Sequence, residues 1–454
     1  MDTIVAISTA PGNGGIGIIR MSGKDCFEIL DKIFIPKNKE KQVKGYTIKY
    51  GKIVDNNEKI DEVLVSYFLE PKSYTTENMC EINSHGGTII TKKILELCIK
   101  NGARLAEPGE FTKKAFLNGR IDLSQAEAII DIINSKTEKE LKASVHQLEG
   151  YLSKEIEEIK QNILDILVDI EASIDYPEYD IEEVTDERAI QKLKIIKEKE
   201  EKLLKSFENG KIIKQGLKVA IIGKPNAGKS SLLNAILKEE RAIVTNIEGT
   251  TRDTIEEFIT IEGIPLKIID TAGIRDANDE IEKIGIEKSK KMAEEADLTI
   301  TVIDSTNELS EEDRDILNFI KDKKSIIVLN KNDLLPKVDE NTEEIKELNK
   351  KVIKISALNK IGIEEIYKTI SEMFNFGEIV VDDSVVVTSE RQKEAIQNAL
   401  KNTEKCIETI NYKMPIDIAT INLTEMLKEL GKITGETVSE EIIKEIFKKF
   451  CLGK

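Results

Sequence analysis

Apolar residues recur with two different spacings along the chain, and the change of spacing marks the predicted elements. In the first 120 residues, short apolar runs typical of strands alternate with stretches in which apolar residues lie three and four apart, as on one helix face. The predicted strands are Ile4–Ser8, Ile16–Arg20 and Glu62–Leu69, and the predicted helices are Lys24–Phe34 and Thr88–Asn101. This mixture, with its many glycines, predicts a compact α+β domain over residues 1–120.

The apolar spacing becomes helical at Asp122 and stays helical to about Ile174. Two helix-starting capping boxes fit this beginning, one from Asp122 to Gln125 and the other from Ser124 to Glu127. We therefore expect a long helical region to follow the first domain.

A second charged helix is predicted over residues 186–206, after Pro177 interrupts the first one. Residues 208–210 read ENG and predict the end of this helix, because Asn and Gly favour the backbone conformations of turns. The glycine-rich segment 11–15 resembles a phosphate loop but lacks a Lys-Ser ending, so a tight turn between strands is the favoured interpretation.

Strand-like and helix-like runs alternate from residue 217 to about residue 375. The strand-like runs are Leu217–Ile222, Leu266–Asp270, Leu298–Asp304, Ser325–Asn330 and Val352–Ser356. Such alternation favours a mostly parallel sheet with helices on both faces.

The predicted architecture is a multidomain α/β protein in which an α/β nucleotide domain is inserted into one discontinuous all-α domain. Helical spacing returns after Glu390 and continues to Phe450, apart from a break around residues 411–415. Insertion is tolerated where the ends of the inserted domain lie close together, and two separate helical domains are the alternative. The predicted boundaries are 1–120 for the N-terminal domain, 121–210 for the first helical part, 211–376 for the nucleotide domain and 377–454 for the second helical part.

A glycine-rich segment after the first strand-like run of the nucleotide domain carries its chemistry. Residues 223–231 read GKPNAGKSS. The glycines let main-chain N–H groups close around the α- and β-phosphates, the lysine reaches the β- and γ-phosphates, and the serine hydroxyl can ligate Mg²⁺. A glycine-rich turn without a ligand is the alternative, and the strand–loop–helix context favours the phosphate loop. The predicted nucleotide contacts are Asn226, Ala227, Gly228, Lys229, Ser230 and Ser231.

Two polar loops that follow are predicted to surround the γ-phosphate and Mg²⁺. Residues 245–253 read TNIEGTTRD, and residues 270–273 read DTAG at the end of a strand-like run. Threonine hydroxyls and the aspartate can complete a Mg²⁺ shell, and the glycine can face the γ-phosphate. The residues concerned are Thr245, Asn246, Ile247, Glu248, Gly249, Thr250, Thr251, Asp270, Thr271, Ala272 and Gly273.

Residues 330–333 read NKND and are predicted to bind the base. The Asp333 carboxylate can accept hydrogen bonds from both N1–H and the 2-amino group of guanine. Adenine lacks this pair of donors, so the loop favours GTP over ATP, because a buried carboxylate left half unpaired is costly. The predicted base contacts are Asn330, Lys331, Asn332, Asp333, Ser356, Ala357 and Leu358.

Charge and cysteine content narrow the classes of function. The chain has 67 Lys and Arg against 84 Asp and Glu, a net charge of −17, so its surface as a whole should not attract nucleic acid non-specifically. The first 120 residues carry 18 basic against 15 acidic residues, so any RNA contact needs a local patch or a basic partner. Five cysteines without CxxC spacing, and two histidines, argue against a disulfide framework and a zinc site. Without an apolar stretch of membrane-spanning length or a leader-like N-terminus, the chain is expected to be cytoplasmic, with no membrane role.

Taken together, these loops and several further segments resemble the tRNA-modification GTPase family known as MnmE or TrmE, over essentially the whole chain. The nucleotide loops alone mark only the wider GTPase superfamily, whereas the combination is specific. The segments that carry the resemblance are DTIVA at 2–6, PGEF at 108–111, AFLN at 115–118, DLSQAE at 122–127, GTTRD at 249–253 and FCLGK at 450–454.

The resemblance implies a tetrahydrofolate-binding N-terminal domain through which two chains form a homodimer, a discontinuous helical domain and an inserted GTPase domain. It also implies a hetero-oligomer with the FAD enzyme MnmG (GidA). Together the two proteins would add an aminomethyl or carboxymethylaminomethyl group to C5 of the wobble uridine of certain tRNAs. A 5-formyl- or 5,10-methylene-tetrahydrofolate would supply the one-carbon unit.

The resemblance further assigns roles to individual residues. Glu282 would orient the attacking water, a role left open by Ile274, which stands where Ras-type GTPases place a glutamine. Without the resemblance, the positions assigned to folate would be interpreted as surface charges or a strand-end carboxylate. The implied ligands are Asn226, Thr245, Ile247 and Thr250 for K⁺, Ser230 and Thr251 for Mg²⁺, and Arg20, Glu81, Arg120 and Lys454 for folate.

Cys451, in the final CLGK sequence, has three interpretations. As a prenylation box the sequence fits poorly, since Gly is not aliphatic and Lys is atypical in the last position. A buried, inert cysteine is the second interpretation. The third follows from the resemblance, which places the thiol near the folate site, either as a catalytic group or merely as a neighbour.

For the whole chain, the alternative to a tRNA-modifying GTP hydrolase is an RNA-binding regulatory GTPase of ribosome assembly, which needs neither the N-terminal domain nor this tail.

Overall fold

The structure is a computed structural model, and its contacts divide the chain into two compact units. The first unit comprises Met1–Ile133, Gln147–Glu200 and Glu394–Lys454, and the second comprises Asn134–His146 and Glu201–Lys393. Every helix among the described residues is too short or too polar to cross a membrane. The described residues are 2–38, 45–175, 182–237, 242–243, 257–269, 293–377 and 385–454.

The strands and helices follow the predicted alternation closely. The strands are β1 (Ile4–Ile7), β2 (Ile16–Ser22), β3 (Phe34–Pro36), β4 (Thr47–Asp55), β5 (Glu58–Phe68), β6 (Met79–His85), β7 (Arg104–Leu105), β8 (Leu217–Ile222), β9 (Ala242–Ile243), β10 (Glu257–Ile261), β11 (Ile264–Ile268), β12 (Leu298–Asp304), β13 (Ser325–Asn330) and β14 (Lys351–Lys354). The helices are α1 (Cys26–Ile33), α2 (Thr88–Lys100), α3 (Glu110–Leu117), α4 (Leu123–Asn134), α5 (Glu138–Leu148), α6 (Tyr151–Asp175), α7 (Glu182–Gln215), α8 (Lys229–Leu237), α9 (Glu311–Phe319), α10 (Glu343–Lys346), α11 (Ile363–Met373), α12 (Glu390–Asn411), α13 (Ile416–Thr434) and α14 (Glu440–Lys448).

The sheet of the first unit has the spatial order β3-β4-β5-β6-β2-β1-β7. Neighbouring strands run antiparallel except for the parallel pair β1–β7. The glycine-rich segment 11–15 lies in the connection between β1 and β2, as predicted. One face of the sheet packs its apolar residues against α1 and α2. The opposite face leaves Ile48, Tyr50 and Leu64 exposed.

The sheet of the second unit has the spatial order β14-β13-β12-β8-β11-β10-β9. The first five of these strands are parallel, which confirms the predicted mostly parallel sheet, and β10 pairs antiparallel with both β11 and β9. Separate apolar clusters cover its two faces. Of the β10–β11 hairpin, the sequence predicts only the second strand, because the first lacks a strong alternating pattern.

α4 begins at Leu123, and one of its two predicted capping boxes is present. Asp122 Oδ1 accepts from the main-chain N–H of Gln125 at 2.9 Å, and Gln125 Oε1 accepts from the N–H of Asp122 at 2.9 Å. The prediction of a second box starting at Ser124 is wrong, because the helix has already begun there. Ser124 instead donates to Asp122 Oδ1 over 2.8 Å.

α7 continues through Gly210 to Gln215, so the predicted helix end at residues 208–210 is wrong. A Cβ on Gly210 would lie 2.1 Å from the main-chain oxygen of Val387. This glycine therefore serves close packing within the helix rather than a turn. The reverse holds at Gly435, which ends α13 with φ +95° and interrupts the helix that was predicted to run unbroken to Phe450.

Candidate nucleotide site and tail cluster

The predicted phosphate loop connects β8 to α8 at the carboxyl edge of the second sheet. β8 pairs parallel with β11 on one side and with β12 on the other, so the loop leaves from inside the sheet. Gly223 and Gly228 have φ values of +155° and +98°, and Asn226 has +60°. A Cβ on Gly223 would lie 2.4 Å from the main-chain oxygen of Val302, and one on Gly228 would lie 2.1 Å from Nδ2 of Asn330. Both glycines are therefore required by their neighbours as well as by their backbone conformation.

Lys229 holds its ammonium group against the loop. Its Nζ donates to the main-chain oxygens of Gly223 and Lys224, over 2.8 Å in each case. Ser230 is half-buried in the first turn of α8, and Ser231 beside it is exposed. The N–H groups and the positive dipole end of this helix favour an anion at the loop.

Asn330 joins the phosphate loop to the base-binding loops. Its Nδ2 donates to the main-chain oxygen of Ala227 at 2.9 Å, and its Oδ1 accepts from the N–H of Ala357 at 3.0 Å. Asn330 is 3% exposed, so losing either hydrogen bond would leave a buried polar group unpaired. One side chain thus fixes the separation of the two loops.

The other residues of the base-binding loops lie around this joint. The N–H of Asn332 donates to the main-chain oxygen of Ile355 at 2.9 Å, which ties the NKND segment to the end of β14. Ser356 is buried, whereas Asp333 and Leu358 are exposed. The Asp333 carboxylate is therefore accessible beside a loop of fixed position.

Asp304 belongs to this site although the sequence motifs do not include it. Its carboxylate accepts from Lys331 Nζ at 2.7 Å and from Thr306 Oγ1 at 2.6 Å, and the residue is 5% exposed. Burial acts to raise the pKa of Asp304, but the hydrogen bonds from Lys331 and Thr306 outweigh it and leave the pKa below its ordinary value. The signal that could have found Asp304 is its place at the end of a parallel strand, opposite Asn330.

The loops predicted to surround the γ-phosphate lie outside the described residues, and so does the predicted water-orienting group. The residues concerned are Thr245, Asn246, Ile247, Glu248, Gly249, Thr250, Thr251, Asp270, Thr271, Ala272, Gly273, Ile274 and Glu282.

A second cluster, here called the tail cluster, forms in the first unit around Arg20. Arg20 on β2 faces Glu81 on β6 in the strand register, and its guanidinium lies 2.8 Å from the Glu81 carboxylate. Another guanidinium nitrogen donates to the main-chain oxygen of Gly453 at 3.1 Å, and the hydroxyl of Ser8 donates to the same oxygen at 3.0 Å. A Cβ on Gly453, which has φ +88°, would lie 2.4 Å from the main-chain oxygen of Ile7.

Aromatic rings flank the charges of the tail cluster. The guanidinium carbon of Arg120 lies 4.5 Å from the centre of the Tyr74 ring, and that of Arg20 lies 5.6 Å from it. The N–H of Phe111 donates to the main-chain oxygen of Lys454 at 3.2 Å. The structure thus brings together the four positions that the resemblance assigns to folate, although they come from distant parts of the sequence.

Cys451 is exposed, so the interpretation as a buried, inert cysteine is wrong. Cys26, Cys80, Cys98 and Cys406 are buried, and none of the five cysteines is in a disulfide in this structure.

The parallel sheet, the glycine loop that opens a helix, and the NKND loop tied to it define a GTPase of the P-loop class. Residues 3–120 match the family described as "GTP-binding protein TrmE N-terminus", and residues 123–451 match the "MnmE helical domain". The chain belongs to the MnmE (TrmE) family of tRNA modification GTPases.

Similar proteins from several bacteria match over full length. The protein named tRNA modification GTPase MnmE from Acetivibrio thermocellus is 51% identical over 455 residues, covering 100% of this chain and 99% of that protein. The one from Thermoanaerobacter pseudethanolicus is 53% identical over 459 residues with the same coverage. Among solved structures, the G domain of the FeoB iron transporter from T. maritima is 30% identical and covers 36% of this chain and 99% of that one, with a TM-score of 0.26.

Proposed function

We propose that this GTPase binds GTP between the phosphate loop and the NKND loop and hydrolyses it with Mg²⁺ and K⁺. The two hydrogen bonds of Asn330 carry the proposal, because they hold the phosphate-binding and base-binding loops at a fixed separation. Lys229 would donate to the β- and γ-phosphates from its place against the loop carbonyls, and Asp333 would accept from the guanine edge.

The oxygen donors of the phosphate loop suit both cations. Mg²⁺ prefers hydroxyl and carboxylate oxygens together with phosphate oxygens, and Ser230 offers a half-buried hydroxyl in the first turn of α8. Asn226 is exposed and offers a neutral amide oxygen on the loop itself. A cation beside the γ-phosphate supplies charge stabilisation of the kind an arginine finger gives in other GTPases. The proposed ligands are Ser230 and Thr251 for Mg²⁺, and Asn226, Thr245, Ile247 and Thr250 for K⁺, with Glu282 orienting the water.

The tail cluster is proposed to hold a tetrahydrofolate derivative. The Arg120 guanidinium can bind the anionic glutamate part of a folate, Arg20 holds the Glu81 carboxylate in place at 2.8 Å, and Tyr74 offers an aromatic surface to a flat ring. Glu81 can accept from N–H groups of a pterin, and the Lys454 side chain can pair with a carboxylate. When bound, the folate supplies a one-carbon unit. The residues of this chain orient the folate. Cys451 is exposed and lies two residues before Gly453, whose main-chain oxygen accepts from Arg20.

With an MnmG partner, the protein is proposed to install an aminomethyl or carboxymethylaminomethyl group at C5 of the wobble uridine of certain tRNAs. The match of residues 3–120 to the TrmE N-terminus favours this function over ribosome assembly, which has no use for a one-carbon site.

A homodimer is proposed through the open face of the N-terminal sheet. Tyr50 and Leu64 lie opposite each other on neighbouring strands, and Ile48 lies on the same face two residues away. These three side chains are 44%, 47% and 65% exposed, which is unusual for adjacent large apolar residues on a sheet. A second copy of the chain would cover them.

Mass spectrometry of wobble uridines tests the function as a whole. Cells that lack this protein should accumulate unmodified wobble uridine, and the wild-type gene should restore the modification. Genes carrying Lys229→Ala or Arg20→Ala should each fail to restore it, the first through the nucleotide site and the second through the folate site. Normal modification in cells that lack the protein would overturn the proposal.

A further inference from the structure

Asp313, on the first turn of α9, forms an ion pair with a residue of the phosphate loop. Lys224 Nζ lies 2.6 Å from Asp313 Oδ2, although 89 residues separate the two in sequence. The side chain of Asp313 is 2% exposed and that of Lys224 is 17% exposed. A pair this deeply buried has lost most of its hydration, so removing one partner leaves an uncompensated charge inside the protein.

The same carboxylate oxygen also completes the capping box of α9. Asp313 Oδ2 accepts from the N–H of Ser310 at 3.0 Å and from its hydroxyl at 2.7 Å, and the Ser310 hydroxyl accepts from the N–H of Asp313 at 3.3 Å. Capping a helix needs only Ser310 and Asp313. The third donor, Lys224, adds nothing to the cap and connects α9 to the nucleotide site.

Lys224 also acts through its main chain. Its carbonyl oxygen accepts from Lys229 Nζ at 2.8 Å and from the N–H of Ala227 at 3.3 Å. Pro225 follows Lys224 and restricts its backbone further, because the residue before a proline is kept out of the helical region. With its side chain anchored on α9, Lys224 has little freedom to turn its carbonyl away from Lys229.

We propose that Asp313 is a positioning residue for the nucleotide: through Lys224 it fixes the loop carbonyls that hold the Lys229 ammonium where the β- and γ-phosphates bind. The proposal rests on the assignment of residues 223–231 as the phosphate site. Asp313 touches neither the nucleotide nor the reacting atoms. Its effect is to set the Lys229 ammonium in place before GTP arrives, so that less reorganisation accompanies binding and hydrolysis.

Two substitutions separate positioning from helix capping. Asp313→Asn keeps the size of the side chain and an acceptor oxygen for Ser310, but removes the charge that holds Lys224. Ser310→Ala weakens the capping box and leaves the Lys224–Asp313 pair in place. Glu344→Gln is the matched control for charge. Glu344 forms a 3.2 Å ion pair with Arg314, which is on α9 like Asp313. This pair is exposed, with 49% of the Arg314 side chain and 40% of the Glu344 side chain accessible to water.

Fluorescent-GTP binding, steady-state GTP turnover and thermal unfolding should be measured on the full-length variants. We expect Asp313→Asn and Lys224→Met each to weaken nucleotide binding and lower kcat/KM about 10- to 100-fold. The double variant should bind GTP and turn it over no worse than the less active of the two single variants, because both changes remove the same contact. Ser310→Ala should lower the melting temperature without this loss, and Glu344→Gln should resemble wild type. Lys224→Arg, which keeps the charge, should recover part of the activity.

Lys229→Ala tells the two levels of inference apart. If Lys229→Ala abolishes binding while Asp313→Asn and Lys224→Met match Ser310→Ala in both binding and turnover, Asp313 is a capping residue only. If Lys229→Ala itself binds and hydrolyses GTP normally, the phosphate-site assignment fails. Should Asp313→Asn yield no folded protein, Lys224→Met decides the matter alone, since Lys224 is the more exposed partner.

Discussion

Arg20 donates to the main-chain oxygen of Gly453 over 3.1 Å, although 433 residues separate them in the chain. This contact places the final residues against the N-terminal sheet of the first unit, and the nucleotide loops belong to the second unit. The chemistry proposed for the tail can therefore be removed without touching the phosphate or base contacts.

Deleting residues 451–454 should abolish tRNA modification and leave intrinsic GTP hydrolysis nearly unchanged. The deletion removes the Gly453 oxygen that Arg20 and Ser8 share, but no residue of the nucleotide loops. Folate binding, GTP turnover and modified wobble uridine should be measured on the same preparation. Leu452→Ala is a fitting control, because Leu452 is 47% exposed. Modification at the normal level by the truncated protein would exclude the tail from the one-carbon site.

Cys451→Ser separates the two roles, catalytic group or mere neighbour of the folate site, that the resemblance leaves open for the thiol. A nucleophilic thiol loses nearly all activity when oxygen replaces sulfur, because the hydroxyl is a much weaker nucleophile at neutral pH. A thiol that is merely a neighbour of the folate site should tolerate this change, since its side chain is already in contact with water. The rate of uridine modification decides between them, with folate binding as the control for an intact pocket.

Asp333→Asn should weaken GTP binding by about 1.5 to 3 kcal/mol, the worth of a hydrogen bond to a charged group. The amide would turn a donor toward the N1–H or the 2-amino group of guanine. Xanthosine triphosphate, which carries oxygen where guanine has its amine, should be bound better by the variant than by wild type. Titration of both nucleotides provides the comparison, and unchanged GTP affinity would refute the base-site assignment.

GTP turnover should be much faster in potassium than in sodium buffer, and it should need Glu282 but no arginine from another protein. A bound K⁺ near the γ-phosphate would stabilise the charge that develops during hydrolysis. Equal rates in the two buffers would contradict the role of K⁺, and full activity of Glu282→Ala would contradict that of the carboxylate. Arg252→Ala and Arg275→Ala examine the arginines in and next to the two loops predicted to surround the γ-phosphate.

Glu200 should make the helical part of the first unit less stable as the pH rises. It is fully buried, its Oε2 accepts from the Thr403 hydroxyl at 2.8 Å, and its Oε1 has no partner among the described residues. Burial raises the pKa of Glu200 to about 8, against the lowering effect of the Thr403 hydrogen bond. Because the folded-state pKa lies above the unfolded one, stability is greatest at low pH and is lost as the pH rises toward 8.

The effect falls between the ordinary glutamate pKa of 4.5, which applies to the unfolded chain, and the folded-state pKa of about 8. In this range the unfolding free energy of the wild type should fall by about 1.4 kcal/mol per pH unit relative to that of Glu200→Gln, which stays neutral. Thermal unfolding of both proteins from pH 5 to pH 9 measures this difference. Glu425→Gln, at an exposed position on α13, should follow the wild-type curve. Parallel curves for wild type and Glu200→Gln would mean that Glu200 does not titrate as described.

The phosphate and base loops could be predicted because their chemistry is local. Nine consecutive residues supply the glycines, the lysine and the serine of the phosphate loop, and four supply the base loop. The Asp122–Gln125 capping box was predictable for the same reason. Gly210 was misinterpreted because an Asn-Gly pair looks alike whether it ends a helix or lets another segment pack closely, and Val387 decides the matter from 177 residues away.

The carboxylates that brace the nucleotide site could not be predicted in this way. Asp304 and Asp313 gain their roles from lysines 27 and 89 residues away, and nothing in their own neighbourhood identifies those partners. Likewise, the sequence alone leaves Arg20 looking like a surface charge. Its burial against Tyr74, Phe111 and Gly453 exists only once the sheet has formed and the tail has folded back onto it.

The segment Asn134–His146 belongs by its contacts to the nucleotide-binding unit, although sequence spacing assigns it to the helical domain. The Lys136 ammonium lies 3.3 Å from the centre of the Phe258 ring on the β10–β11 hairpin, and Ala143 is buried in the apolar core of the unit. Along the chain, this hairpin lies between the two loops predicted to surround the γ-phosphate, residues 245–253 and 270–273. A GTPase fragment that comprises only residues 211–376 would therefore lack segment 134–146. Its β10–β11 hairpin would lose the contact between Lys136 and Phe258, and its apolar core would lose Ala143. The GTP turnover of such a fragment would therefore differ from that of the whole protein, in which segment 134–146 packs against the hairpin.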